Sequence, residues 1–443
     1  MARIIIVWGL WGPYHCRRFE VLRDQAAREG HEVTGVSLFS GSSVNQWGAG
    51  NLPAGVVHFN LGNDETKFPL ANLGRLLTIP KKLRAEVALL PSYDHWSLAL
   101  NAAVRLSGGR VVMMNDTHAG TARARGIKAA FKQKVVAGFH AGFVAGEPQR
   151  RYFASLGLPL KKIFTGYDAV DNDFFAAQSA AIRSRHSEVR KLYQLPESYF
   201  LSLGRFVPKK NLPVLLRAYR KVLDAHRDCQ THLVLVGSGE EEPGLQALCE
   251  GLKLPIYDKM ALKPRTTDHQ PQSTKTNPGV HFYGFRQIAE NPVFYALADA
   301  FVLPSLWEEW GLVVNEAMAS GLPVVVSETV GCAEDLLRPD WPDSPDLPAI
   351  KRSGPWAIAK HCIRQNGFVF DPRSDGSLAN ALLILASNPM LRTVMGRNSR
   401  MTVDHFSCQN FAVNALLAAQ AALAGRVVAK KAITSVSTPV DCR

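Results

Sequence analysis

Glu308-Glu-Trp-Gly-Leu-Val-Val-Asn-Glu316 sets two carboxylates eight residues apart with Gly311 between them. The stretch follows an apolar run, Ala300-Phe-Val-Leu-Pro304, and continues into Ala317-Met-Ala-Ser320, whose composition is helical. Strand, turn and helix in that order place Glu308 at the strand's exit and Glu316 about one turn into the helix. Both then face the crevice at the carboxyl edge of an open α/β sheet, where such sheets bind ligands. Carboxylates accept from hydroxyls and helix-terminal amides donate to phosphates, so the pattern suits a ligand carrying both groups. Two solvated acids at a plain strand–helix junction would give the same spacing, and the surrounding sequence has to decide.

Working outward, apolar runs alternate with stretches of helical period in both halves, which predicts parallel sheets built from βαβ units. In the first half the predicted strands are 4–8, 32–39, 87–91, 110–114 and 142–145, with a helix over 14–29 ended by Gly30. The second half restarts at 199–203 and continues through 232–236, 280–283, 300–304 and 323–327. The fold class is therefore α/β: two Rossmann-like domains, each a parallel sheet with helices on both faces, facing across a cleft. Residues 1–180 form the first domain and 195–388 the second, with a polar hinge near 175–198. Helices over 389–425 pack back on the first domain, and 426–443 reads as a loose tail. Residues 263–279 and 338–355 are rich in polar residues and proline and read as irregular excursions.

A chain of 443 residues is too long for one ordinary core. A hydrophobic content of 47% against 20% charged residues fits a globular enzyme. No apolar run reaches the roughly 18 residues of a membrane span, and the apolar start is too short for a signal peptide. Seven scattered cysteines without a CxxC argue against disulfide and zinc frameworks, and point to a reducing cytoplasm. The net charge is +13, and residues 1–190 hold 24 Lys+Arg against 14 Asp+Glu. That excess either favours an anionic partner, phospholipid headgroups or a phosphate-bearing acceptor, or serves only solubility. Nucleic acid is not expected, because no zinc finger, helix-turn-helix pattern or RNA-binding aromatic run is present.

Several strand exits carry the residues for anion chemistry. Gly204-Arg205-Phe-Val-Pro-Lys209-Lys210-Asn211 leaves one strand and precedes a helix, so Arg205 and Lys210 can clamp a diphosphate beside helix-terminal amides. Gly237-Ser-Gly239 is a further exit where the backbone can approach a ligand. In the first domain, Gly12, Tyr14, His15 and Arg18 lie in the loop after the first strand. That loop lacks GxGxxG and a following ribose-binding acid, which counts against a dinucleotide enzyme. Asp116 and His118 leave another strand; His118 is either an acceptor contact and proton carrier or a capping histidine. Asp171 and Asp173 read as turn chemistry and not as metal ligands, so no metal or other cofactor is expected. Residues 123–136 hold Arg123, Arg125, Lys128, Lys132 and Lys134 around Ile127, Phe131 and Val135. This segment is either a basic helix lying on anionic lipid or a surface helix with its apolar stripe in the core.

Taken together, Gly204-Arg205 with Lys210, Gly237-Ser-Gly239, Phe282-Tyr-Gly-Phe285 and the Glu308-x7-Glu316 motif running into Ala-Met-Ala-Ser-Gly-Leu-Pro resemble the retaining GT-B-fold glycosyltransferases with the E-x7-E motif. Gly12-Pro-Tyr-His15, Arg18 and Gly166-Tyr-Asp-Ala-Val-Asp171 resemble a bacterial branch associated with surface polysaccharides. The resemblance implies a nucleotide-diphosphate sugar as donor and a glycan or lipid-linked acceptor. Read alone, the cysteines point to cytoplasmic placement, and peripheral contact with an anionic membrane face is one reading of the basic first half and of residues 123–136. Arg205 and Lys210 would neutralise the leaving diphosphate, Glu316 would hold ribose hydroxyls, and Glu308 the donor sugar. Gly204, Gly237 and the backbone of Gly311, Leu312 and Val313 would meet phosphates and sugar, and Gly284 and Phe285 the base. The acceptor would meet Gly12, Tyr14, His15, Arg18, Asp116 and His118. Two departures stand out: Glu309 replaces the family's small residue, and Gly331-Cys332 its glycine pair. Two other classes stay open on the residues themselves, a sugar-nucleotide epimerase of similar architecture and a non-catalytic sugar-nucleotide-binding protein.

Overall fold

A computed structural model describes residues 1–41, 52–64, 66–91, 95–124, 126–259, 277–337 and 362–434. The chain divides into two compact units, Met1–Val170 with Ser407–Arg443, and Asp171–Phe406. Most of the two irregular excursions, 263–276 and 338–355, lies outside the described residues.

Among the described residues the first unit holds seven strands, β1 (Arg3–Trp8), β2 (Glu32–Phe39), β3 (Val56–Gly62), β4 (Val87–Pro91), β5 (Arg110–Asn115), β6 (Ala141–Val144) and β7 (Ile163–Phe164). All pair in parallel, in the order β3-β2-β1-β4-β5-β6-β7. β1 and β4 are near-continuous runs of Ile, Val, Leu and Ala because both faces of a parallel sheet are covered. One face packs Ile4, Ile6 and Trp8 with Phe19, Phe411 and Ala415 of the helices Pro13–Arg28 and Cys408–Thr434. The other packs Ile5, Val7 and Leu90 with Leu76, Leu100 and Val136.

The second unit holds β8 (Tyr199–Leu203), β9 (His232–Val236), β10 (Ile256–Asp258), β11 (Val280–Phe282), β12 (Ala300–Leu303), β13 (Val324–Ser327), β14 (Ile363–Arg364) and β15 (Gly367–Phe370). Their order is β10-β11-β9-β8-β12-β13-β15-β14, and every pair but β14–β15 is parallel. The sheet is built outward from β8 in one direction and then resumes on its other side at β12. The exits of β8 and β12 therefore diverge at a topological switch point, the place where this architecture opens a ligand crevice.

The structure corrects the expected domain limits. The stretch read as a hinge, 175–198, is occupied by the helices Asn172–Ser184 and His186–Tyr193, and the division falls at Val170. Both helices bury only a narrow stripe, Asn172, Phe175, Ser179, Ile182 and Val189, and their broad polar faces read as linker. The C-terminal helices also part company. Pro389–Val403 stays with the second unit, burying Leu391 and Met395 in its core, while Cys408–Thr434 packs on the first unit's sheet. That last helix continues to Thr434, beyond the expected start of the tail at 426; residues 435–443 lie outside the described residues. β3, β7, β10, β14 and β15 were not expected either; β7, β10 and β14 have two or three residues each, and β3 is largely exposed on the sheet's edge.

Among the described residues no single helix is long and apolar enough to cross a membrane. Six cysteines, 16, 229, 249, 332, 362 and 408, are unbridged.

Candidate active site

β8 ends at Leu203, and Gly204 turns away at φ +149 into the single turn Pro208–Lys210 and the helix Leu212–Ala225. Asn211 adopts a left-handed conformation, φ 54, between turn and helix. Its amide donates to the carbonyls of Pro304 at 3.1 Å and Pro372 at 2.8 Å, and the Leu306 amide donates to the Lys209 carbonyl at 2.8 Å. The exits of β8 and β12 are thereby stitched together at the switch point. Gly237 leaves β9 at φ +142, and a Cβ there would stand 1.9 Å from the Gly204 carbonyl oxygen. Only glycine permits that approach, which is why the exits of β8 and β9 share their glycines. The Gly237 amide in turn donates to Gly284 at the exit of β11, 2.9 Å away.

Glu308 sits at the exit of β12 and is 6% exposed. Lys210 Nζ stands 2.5 Å from its Oε1, and Lys209 Nζ 3.1 Å from its Oε2. Ser305 Oγ donates to Oε1 at 3.0 Å. Lys209 also reaches Glu309 Oε2 at 3.3 Å. Burial by itself would raise the Glu308 carboxyl, but Lys210 and then Lys209 outweigh it and hold it below the usual carboxylate range. Burial would likewise lower Lys209, and Glu308 and Glu309 together raise it. The backbone is fixed as well: Gly331 N donates to Glu308 O at 3.1 Å and Cys332 N to Trp310 O at 3.1 Å. Arg205, one residue past Gly204, is exposed and makes no ion pair among the described residues.

The second glutamate behaves differently. Gly311, at φ +106, precedes the helix Leu312–Ala319, whose first amides belong to the half-buried Leu312 and Val313. Glu316 lies on this helix but is fully enclosed, not open at the crevice, and accepts from Asn291 Nδ2 at 3.2 Å. Asn291 opens the helix Asn291–Ala296, which follows the exit of β11 where Gly284 turns at φ 66 and Phe285 stays 39% exposed. Glu316 is thus tied to the Phe285 loop, whereas Glu308 is tied to the lysines.

Sequence reasoning passed over Lys209, Ser305 and Asn291. The doubled charges Lys209-Lys210 and Glu308-Glu309 were the available signal for Lys209, since two adjacent cations facing two adjacent carboxylates allow a four-membered cluster.

In the first unit the expected acceptor residues follow β1 and β5, and two of them make structural contacts. Arg18 is 2% exposed; its Nε donates to Ala169 O at 2.7 Å and its Nη2 to Asp168 Oδ1 at 3.4 Å. Its guanidinium also lies over the rings of Tyr167 and Phe411 at 5.5 and 5.8 Å. His15 accepts from the Gly12 amide at 3.0 Å, closing the start of the helix Pro13–Arg28, and stacks on Trp8. Burial, with Arg18 nearby, pushes its imidazole down to about 3, so it stays neutral. The two have different structural tasks: His15 closes the first turn of a helix that starts directly at a strand exit, and Arg18 ties that helix to Asp168 and Ala169. Tyr14 is half-buried in the same turn. His118 accepts from the Gly120 amide at 3.2 Å in the turn after β5, beside half-buried Asp116. Asp171 caps the helix Asn172–Ser184 by accepting from Phe174 N at 3.2 Å, and Asp173 pairs with Arg400 at 3.7 Å.

Residues 197–388 match the family model described as glycosyl transferases group 1. The matched segment contains every exit of the second unit's crevice, from Gly204 to Glu316. An uncharacterized glycosyltransferase of Haemophilus influenzae is 28% identical over 49% of this chain and 48% of its own. A D-inositol 3-phosphate glycosyltransferase of Thermomonospora curvata is 32% identical over 37% of this chain and 35% of its own. The chain thus spans half or less of the length of the curated relatives it matches. Over whole chains the likeness is in fold. A glycosyltransferase structure from Rickettsia africae covers 95% of this chain and 98% of its own at a TM-score of 0.65 and 15% identity. HepE of Anabaena, crystallised with UDP, covers 93% and 97% at a TM-score of 0.61 and 15% identity. The fold is α/β of the GT-B type.

Proposed function

We propose that the chain is a retaining glycosyltransferase that moves a hexose from a nucleoside-diphosphate sugar to a glycan or lipid-linked acceptor in cell-surface polysaccharide or glycolipid synthesis at the cytoplasmic membrane face. The observation that carries this reading is Glu308 held between Lys209 and Lys210 at the switch point, with Arg205 exposed on the turn that follows Gly204. Breaking the bond from the anomeric carbon to the diphosphate leaves negative charge on the departing phosphate, and fixed cations there stabilise it as it develops. In this reading Lys210 exchanges its contact with Glu308 for that phosphate, and Arg205 grips it bidentately. Glu308 then accepts from donor-sugar hydroxyls. The lysines supply the positive charge, so the reading needs no metal. The UDP named with HepE supports a nucleoside diphosphate as the ligand class. Phosphate oxygen assists deprotonation of the acceptor in same-face attack, so no carboxylate nucleophile of the glycosidase kind is required.

The test is a thermal-shift screen of UDP, GDP and their hexoses, followed by turnover in EDTA with and without glycan and lipid-linked acceptors. A ligand that binds only the folded chain raises its melting temperature. Transfer only with acceptor, and a product anomer matching the donor's, is the expected result. Epimerised donor without acceptor, or binding without any turnover, replaces the reading with one of the two other classes.

The two glutamates are expected to separate by calorimetry. Glu316→Gln should weaken both the free nucleoside diphosphate and the intact donor, because it alters the group beside the Phe285 loop. Glu308→Gln should spare the free nucleotide and weaken the intact donor. A reversed pattern exchanges their roles.

Lys209 is proposed as a positioning residue that keeps Glu308 charged and aimed once Lys210 turns to phosphate. A carboxyl held below its ordinary value, about 4.3, contributes fully above that pH and loses its contribution as pH falls through the depressed value. Lys209→Met removes one of the two cations holding Glu308 down, so the acid limb of the kcat/KM profile should move to higher pH. An acid limb unchanged in Lys209→Met, with turnover merely scaled, would show that Lys209 does not act through Glu308.

A further inference from the structure

The helix Ile127–Ala137 of the first unit buries a lysine and exposes a phenylalanine. Its inward side carries Val136, fully buried, and Lys132, 7% exposed, whose Nζ donates to Tyr152 Oη at 2.8 Å and lies 4.8 Å over that ring. Its outward side carries Ile127, 90% exposed, and Phe131, 61% exposed. Four residues apart on a helix, these two stand one above the other, and Lys134 continues the same stripe a turn later. Lys128 and Arg123 are exposed alongside. Rotating the helix to bury Phe131 and free Lys132 would gain apolar burial and release a desolvated cation. The sequence sets the opposite arrangement, which makes sense when the outer face has an apolar partner of its own.

Charge identifies the partner's sign. The first unit holds 25 Lys+Arg against 12 Asp+Glu, a net +13, and the second 26 against 26, so the whole excess lies on the unit that bears this face. A second copy would oppose Lys128 and Lys134 with like charges. A nucleic acid would satisfy the cations but not Ile127 and Phe131. An anionic bilayer satisfies both, with an acyl boundary for the apolar pair and headgroup phosphates for the flanking cations.

We propose that the outward face of the Ile127–Ala137 helix docks the first unit on an anionic lipid surface, Ile127 and Phe131 entering the acyl boundary and Arg123, Lys128 and Lys134 meeting phosphates. This contact is independent of the transfer reading, since a chain without transferase activity would keep it.

The experiment is sedimentation of the full chain with vesicles of phosphatidylcholine, alone or with about one-third phosphatidylglycerol, at low salt where the Debye length is near 30 Å. Binding to the anionic vesicles should exceed binding to the neutral ones by about tenfold or more, each cation near the surface contributing about fivefold. Ile127→Ser with Phe131→Ser should weaken binding by about tenfold or more at an unchanged melting temperature, because both side chains are already exposed. Lys128→Gln with Lys134→Gln should weaken binding and flatten its salt dependence. Wild type that ignores anionic vesicles, or an Ile127→Ser/Phe131→Ser chain that binds them as wild type does, overturns the proposal. So does light scattering showing a dimer that the same double variant dissolves while vesicles bind neither form.

Discussion

Lys210→Ala is expected to lower turnover by ~100-fold or more, about 2.7 kcal/mol of transition-state stabilisation. Its amine lies at the Gly204 turn, 3.5 Å from where a Cβ would stand, and 2.5 Å from Glu308. Lys209 does not replace it, because its own amine is divided between Glu308 and Glu309. The loss should fall on kcat and kcat/KM together, as for an interaction made only as the phosphate departs. Arg205→Ala should show a smaller loss and Arg205→Lys an incomplete rescue, since the planar fork is not reproduced. Near wild-type turnover in Lys210→Ala would remove this lysine from the site and leave its pairing with Glu308 as a structural contact.

The second large effect is on folding. Arg18→Ala should destabilise the first unit by ~3–5 kcal/mol, because it removes the guanidinium that pairs with the buried Asp168 carboxylate. Asp168 is itself only 7% exposed at its side chain, and the guanidinium also covers the Tyr167 and Phe411 rings. Denaturant unfolding of wild type, Arg18→Ala, Asp168→Ala and the double variant measures this. The double variant should lose markedly less than the two single losses together, as expected for partners in one buried pair. An Arg18→Ala chain of wild-type stability with a raised KM for acceptor would return Arg18 to the acceptor set.

Arg18 shows why one part of the candidate site was illegible. In the sequence it stands four residues past Tyr14 in a loop-to-helix stretch rich in polar groups, which is also how a ligand contact looks. Its partners, Asp168 and the Ala169 carbonyl, are some 150 residues away and meet it only because β1 and β7 belong to one sheet. Glu316 repeats the lesson. Its spacing from Glu308 was visible, but its enclosure by Asn291 arises from a neighbouring helix. The cluster at Glu308 was more legible, since its members sit directly at strand exits whose apolar runs mark them. Even there Lys209 was missed, because adjacency along the chain says nothing about which lysine's stem bends toward which carboxylate oxygen.

What the sequence determined by itself is local and periodic. Buried parallel strands need continuous apolar runs, exits need glycine where backbones approach, and those two needs set the strands β1, β2, β4, β8, β9 and β12 and the turns at Gly204 and Gly237. Tertiary structure decided what depends on summed weak contacts across long separations. It drew the division at Val170, sent Cys408–Thr434 to the first sheet, buried Arg18, and turned Lys132 inward with Phe131 outward. The physical reason is that a helix's period shows that it has two faces, but which face is buried depends on the neighbours the sheet order supplies.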